Sequence, residues 1–128
     1  MSLAMEEIKI KNLFDLTKTL AGDYLLKFTY PWEALAGIGE MIVALGATLS
    51  PEYEKRGENI WIARDAEIAP SACINGPAII GKGAVVRHCA FIRGNALVGA
   101  GAVVGNSTEL KNVILFNKVS DFMLTSKL

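Results

Sequence analysis

The sequence has no excess of either charge: thirteen Lys and Arg stand against thirteen Asp and Glu. A formal net charge of zero removes any general electrostatic attraction to nucleic acid or to an anionic membrane. Cysteine is scarce. Cys73 and Cys89 have no metal-ligand spacing, so no structural metal is expected, and they read as free thiols in a reducing cytoplasm. A long uncharged apolar run is missing as well. The longest, residues 32–49, is broken by Glu33 and Glu40 and is barely long enough to span a bilayer, so it is not read as transmembrane. The start carries acidic residues and lacks the basic-then-apolar order of a signal peptide, which again points to the cytoplasm. Histidine occurs once, as His88.

What is present is an apolar surplus. Hydrophobic residues make up 52% of the chain, more than a small monomer easily hides, so an oligomer is expected. Much of that surplus is periodic. Steps of six from Ile62 meet Ile68, Ile74, Ile80, Val86, Ile92, Val98, Val104, Leu110 and Phe116, all large and apolar. Steps of six from Ala66 meet Ala72, Ala78, Ala84, Ala90, Ala96 and Ala102, then Thr108 and Ile114.

Neither a helix nor a simple alternating strand produces this register. A short strand followed by a tight corner, repeated every six residues, does. Alternate strand side chains share a face, so each alanine and the aliphatic two residues later point inward together. Three strands close a triangular coil, and coils stack at the strand spacing of about 4.8 Å. Alanine recurs because the narrow interior admits one large and one small side chain per strand.

The residues just before each inward aliphatic point outward and sort into three faces. The first carries Trp61, Ile79, Leu97 and Leu115, an external apolar ladder. The second carries Glu67, Val85 and Val103, and the third Cys73, Phe91 and Glu109. The first face needs a cover. Two covers suit it, the chain's own helix and another subunit.

Residues 1–59 read as an α-rich cap and connector, and residues 60–128 as the repeat with an irregular tail. A helix is expected from the YPWEA stretch onward, with Trp32, Leu35, Ile38, Ile42, Leu45 and Leu49 as its apolar stripe. Gly37, Gly39 and Gly46 weaken it but permit close packing. Ser50-Pro51 ends it, and PEYEKRGEN is expected as a charged connector. Residues 6–29 are expected to hold an extended segment and a short helix starting near Asp15, and an open mouth of the coil needs such a cover. After Phe116 the pattern stops, and an uncovered last coil is expected to pair with another chain.

Residues 60 to about 116 resemble the hexapeptide-repeat family, whose fold is a left-handed parallel β-helix. The resemblance implies a mainly β fold of about three coils with an N-terminal helical cap. It also implies a parallel homotrimer and an acyltransferase that uses acetyl-CoA and a small-molecule substrate. In such enzymes a histidine near a subunit interface deprotonates the acceptor, which then attacks the thioester, while a backbone N–H stabilises the oxyanion. Imidazole suits that task because its ordinary pKa lies near neutrality.

His88 falls in a corner after the second face, with Pro70 one coil below and Asn106 one coil above. It reads either as an exposed turn residue or as that base. Arg87 and Arg93 flank it and, with Lys82 and Lys111, are expected to meet coenzyme A phosphates or a sugar phosphate, unless all four are ordinary solubilising charges. Cys89 adjoins His88, but sequence neighbours on a tight corner diverge, which weakens a nucleophile reading.

STELKNVILFNKV, residues 107–119, is similar to a segment in the β-helix domain of UDP-N-acetylglucosamine pyrophosphorylase and glucosamine-1-phosphate acetyltransferase-type proteins. A sugar phosphate or sugar nucleotide is the substrate that this implies. The Gly-rich nucleotide site of that type is absent here, and so is the downstream segment with its acetyl-transfer histidine. Assignment of His88 therefore rests on chemistry alone. The alternative is a non-catalytic β-helix that oligomerises or regulates a nucleotidyltransferase, present here as a truncated chain.

Overall fold

A computed structural model describes residues 37–117, the backbone of 123–125, and Leu20, Tyr24 and Lys27. The architecture is mainly β, a parallel solenoid of about three turns with a helix ahead of it in the chain. The helix, α1, spans Ile38–Gly46. Then come β1 (Tyr53–Gly57), β2 (Ile60–Ala63), β3 (Glu67–Ile68), β4 (Cys73–Ile74), β5 (Ala78–Ile80), β6 (Val85–Val86), β7 (Phe91–Ile92), β8 (Ala96–Val98), β9 (Val103–Val104), β10 (Glu109–Leu110), β11 (Val113–Leu115) and β12 (Met123–Thr125). Every third strand of the solenoid stacks on the same wall. One wall runs β2-β5-β8-β11, the second β3-β6-β9, and the third β4-β7-β10.

The solenoid strands β2 to β11 are only two to four residues long because the sequence supplies two inward positions per hexad and then a corner. All wall pairings between coils are parallel, with Ile62 on Ile80 and Ile80 on Val98. The interior holds the repeating pairs: Ala78 with Ile80, Ala84 with Val86, Ala90 with Ile92, Ala96 with Val98 and Ala102 with Val104. Each of these is nearly or fully buried. Corners need residues that tolerate a positive φ. Glycine takes that conformation at Gly83 and Gly101, and asparagine, which reaches it more readily than most side chains, at Asn95 and Asn112.

The hexad is interrupted once. Ile114 pairs with Leu97, and Leu115 with Val98, so this last step is seventeen residues where the others are eighteen. The expectation for Ile114, Leu115 and Phe116 is therefore corrected. Val113 and Leu115 point into the interior. Ile114 and Phe116 join the external ladder. The missing residue lies at the corner, where Asn112 stands at φ 53°. A one-residue change inverts every side chain that follows it in a strand, because the strand period is two.

The first face takes the helix. Ile38, Met41 and Ile42 of α1 pack on Ile79, Leu97, Ile114 and Phe116, with Leu45, Leu49, Tyr53 and Trp61 at the margin. Of the two covers expected for the apolar ladder, the chain's own helix is the one that lies on it. Trp32 and Leu35 of the expected stripe lie outside the described residues. The glycines explain how closely the helix approaches. A Cβ on Gly46 would overlap the Trp61 ring, and one on Gly39 would overlap the Asn95 amide.

Both edges of this wall are closed by antiparallel strands. The expected charged connector is β1, which pairs with β2 through a two-residue loop, Glu58–Asn59. At the far edge β12 pairs with β11, within the stretch expected to be irregular. The outer backbone groups of β2 and β11 are thus paired within the chain, and β1 and β12 become the edges of the sheet. Among the described residues no helix is long and apolar enough to cross a membrane.

Candidate functional site

Corners between walls are built by contacts one coil apart. At one corner the Asp65 carboxylate accepts the Gly83 N–H at 3.0 Å, and the Lys82 carbonyl accepts the Gly101 N–H at 2.7 Å. At the corner between the second and third walls, the Ser71 hydroxyl oxygen accepts the Cys89 N–H at 2.9 Å. There the His88 carbonyl accepts the Ser107 N–H at 2.8 Å. Cys89 and Ser107, one above the other, share a φ of 57°. The left-handed corner turns the chain sharply and leaves the His88 side chain exposed.

His88 is not isolated on this corner. Its Nδ1 lies 2.9 Å from Ser71 Oγ. Sequence reasoning looked one full coil of eighteen residues below His88 and found Pro70; the partner is seventeen residues away. The spacing that would have found it is that of Ser71 to Cys89, eighteen residues, which brings Ser71 under the corner and within reach of the neighbouring imidazole.

A groove of about 420 Å³ runs beside this corner. Glu67, Val85, Arg87, His88 and Asn106 line it, with Ile68, Ala69 and Val86. It lies along the second wall, away from the wall that α1 covers. Of the two arginines expected at a site, the structure brings Arg87 to His88 and leaves Arg93 elsewhere. Arg93 is on the third wall, paired with Glu109 at 2.7 Å and set over the Phe91 ring at 5.7 Å from its centroid. Lys82 is likewise engaged, with Glu52 at 2.9 Å. That hydrogen bond is the main reason the Lys82 ammonium holds its proton more tightly than an ordinary lysine. Arg87 has no ion-pair partner among the described residues, so its guanidinium is the cation at the groove.

The two thiols are unlinked and exposed. Cys73 lies on the third wall beside Phe91, while Cys89 follows His88 in the left-handed corner. Among the described residues no cluster of His, Cys, Asp and Glu could hold a metal ion. Comparison with protein-family models, with curated proteins and with solved structures finds no match.

Proposed function

We propose that the chain is an acyltransferase of the hexapeptide-repeat, left-handed β-helix type, working as a homotrimer in the cytoplasm. It takes an acetyl group from acetyl-CoA to a hydroxyl or amine of a sugar phosphate or sugar nucleotide. The observation that carries this reading is the groove lined by both the His88 imidazole and the Arg87 guanidinium, the latter without an ion-pair partner among the described residues.

The chemistry needs few groups. His88 takes the proton of the acceptor as its oxygen or nitrogen attacks the thioester carbonyl carbon. The tetrahedral intermediate collapses, the C–S bond breaks, and the imidazolium returns its proton to the departing thiolate. Arg87 meets a phosphate of the coenzyme or of the sugar, where its planar fork can donate two hydrogen bonds. Glu67 and Asn106 supply acceptors for the acceptor's hydroxyls. The groove is open on one side, and the half-buried Val85 and Val103 beside it suit a neighbouring subunit as the other wall.

Calorimetric titration with acetyl-CoA, run with the mass in solution, tests this. Binding is expected at a trimer's mass. Arg87→Ala should weaken it while Arg93→Ala leaves it unchanged, and His88→Ala should abolish turnover with the trimer intact. An oligomer that binds no coenzyme A and ignores both substitutions at the groove would instead be a structural or regulatory module of a nucleotidyltransferase.

A further inference from the structure

The geometry points to Ser71 as the positioning residue that fixes which nitrogen of His88 acts as base, an inference that rests on the reading of His88 above. A neutral imidazole has one N–H and one lone pair, and only the lone pair can take a proton. Ser71 is already constrained. One lone pair of its oxygen accepts the Cys89 N–H at 2.9 Å, and the same oxygen lies 2.9 Å from His88 Nδ1. A second lone pair on that oxygen is available to accept Nδ1–H, and in that arrangement Nε2 is the basic nitrogen while the serine hydroxyl hydrogen turns elsewhere.

The reverse arrangement, with Ser71 donating to Nδ1, would put the proton on Nε2 and disable it as a base. It would also have to break when the ring is protonated, since both nitrogens of an imidazolium are donors. With Ser71 as acceptor, one hydrogen bond serves both protonation states and strengthens as the ring gains charge. Nothing at the serine has to reorganise during proton transfer.

The comparison corner separates this role from a structural one. Asp65 accepts the Gly83 N–H just as Ser71 accepts that of Cys89, and no histidine is involved there. Holding the corner therefore requires only an acceptor, and the contact to Nδ1 is additional. Asp65 also shows that a corner of this kind accommodates aspartate, so Ser71→Asp retains both acceptor functions while Ser71→Ala retains neither.

Nitrogen-15 NMR of the single histidine in the full chain reads the tautomer of the neutral ring directly. The wild type is expected to show Nδ1–H, Ser71→Ala to move to the Nε2–H form that imidazole prefers in water, and Ser71→Asp to keep Nδ1–H. Turnover should fall in Ser71→Ala by about 10- to 100-fold in kcat, the range for losing a hydrogen bond to a charged group, with KM held. Ser71→Asp should restore most of it. A wild-type Nε2–H tautomer, or a tautomer unmoved by Ser71→Ala, overturns the inference, as does an unchanged kcat in Ser71→Ala. Failure of the catalytic reading looks different: His88→Ala would then leave turnover unaltered, whatever the spectra of the Ser71 variants show.

Discussion

Replacing Ala96 by leucine tests the claim that the interior admits one small side chain per strand. Ala96 is fully buried in the middle coil wall. It is in register with Ala78 in the coil below and Val113 in the coil above. Leucine adds three carbons. If the interior had room, burying them would stabilise the fold by about 2 kcal/mol, at about 0.8 kcal/mol per CH₂. The account predicts the opposite sign. Coils are about 4.8 Å apart, so the added atoms meet a side chain on either side and cannot be relieved toward solvent. Overpacking of this kind costs about 1–3 kcal/mol. For a chain of this size that lowers Tm by roughly 4–12 °C, at about 4 °C per kcal/mol. Thermal and urea unfolding followed by circular dichroism would measure it, with the exposed Ala47→Leu as a control expected within about 0.5 kcal/mol of wild type. A stabilised or unchanged Ala96→Leu would refute the narrow interior.

Inserting one glycine between Lys111 and Asn112 lengthens the step from Val98 to Leu115 to eighteen residues and leaves Leu115 inward; urea unfolding should show a loss of only about 1–2 kcal/mol, the cost of ordering one more backbone residue at the corner, and a larger loss would contradict the register. The Tyr53 phenol is held above the ordinary value of 10.0, chiefly because burial disfavours the phenolate, with the Lys82 charge opposing. Its folded value therefore exceeds its unfolded one. Its contribution is fully present below pH 10.0 and is lost as pH rises from there through the folded value. Denaturation midpoints across that window should fall less steeply in Tyr53→Phe.

Much of the solenoid was legible because its signal is repeated. The alanine and aliphatic series state two inward positions per hexad so often that the interior follows from counting. The slip at Asn112 was not legible, for a physical reason. Val113, Ile114, Leu115 and Phe116 are all large and apolar, so hydrophobicity alone suits either register. The strand character of Tyr53–Gly57 was hidden too. It is an edge strand, and its charged residues Glu54, Lys55 and Arg56 suit an edge while they resemble a loop. The choice of wall for α1 needed the cross-element contact of Gly46 with Trp61, which no local pattern records. At the site, the sequence singled out His88 and Arg87 from residue chemistry and corner position. It overlooked Ser71, because a serine on a corner is common and only the stacking of coils brings it under the imidazole. Arg93 looked equivalent to Arg87 until the walls separated them.

The central claim is a parallel three-walled coil with an eighteen-residue step that shortens to seventeen at its last turn. Nuclear Overhauser contacts between methyl groups of neighbouring coils measure it directly. The account predicts contacts from Ile62 to Ile80, from Ile80 to Val98, and from Val98 to Leu115. Contacts from Val98 to Phe116 in place of Leu115 would contradict the slip, and the absence of contacts between Ile80 and Val98 would contradict the coil.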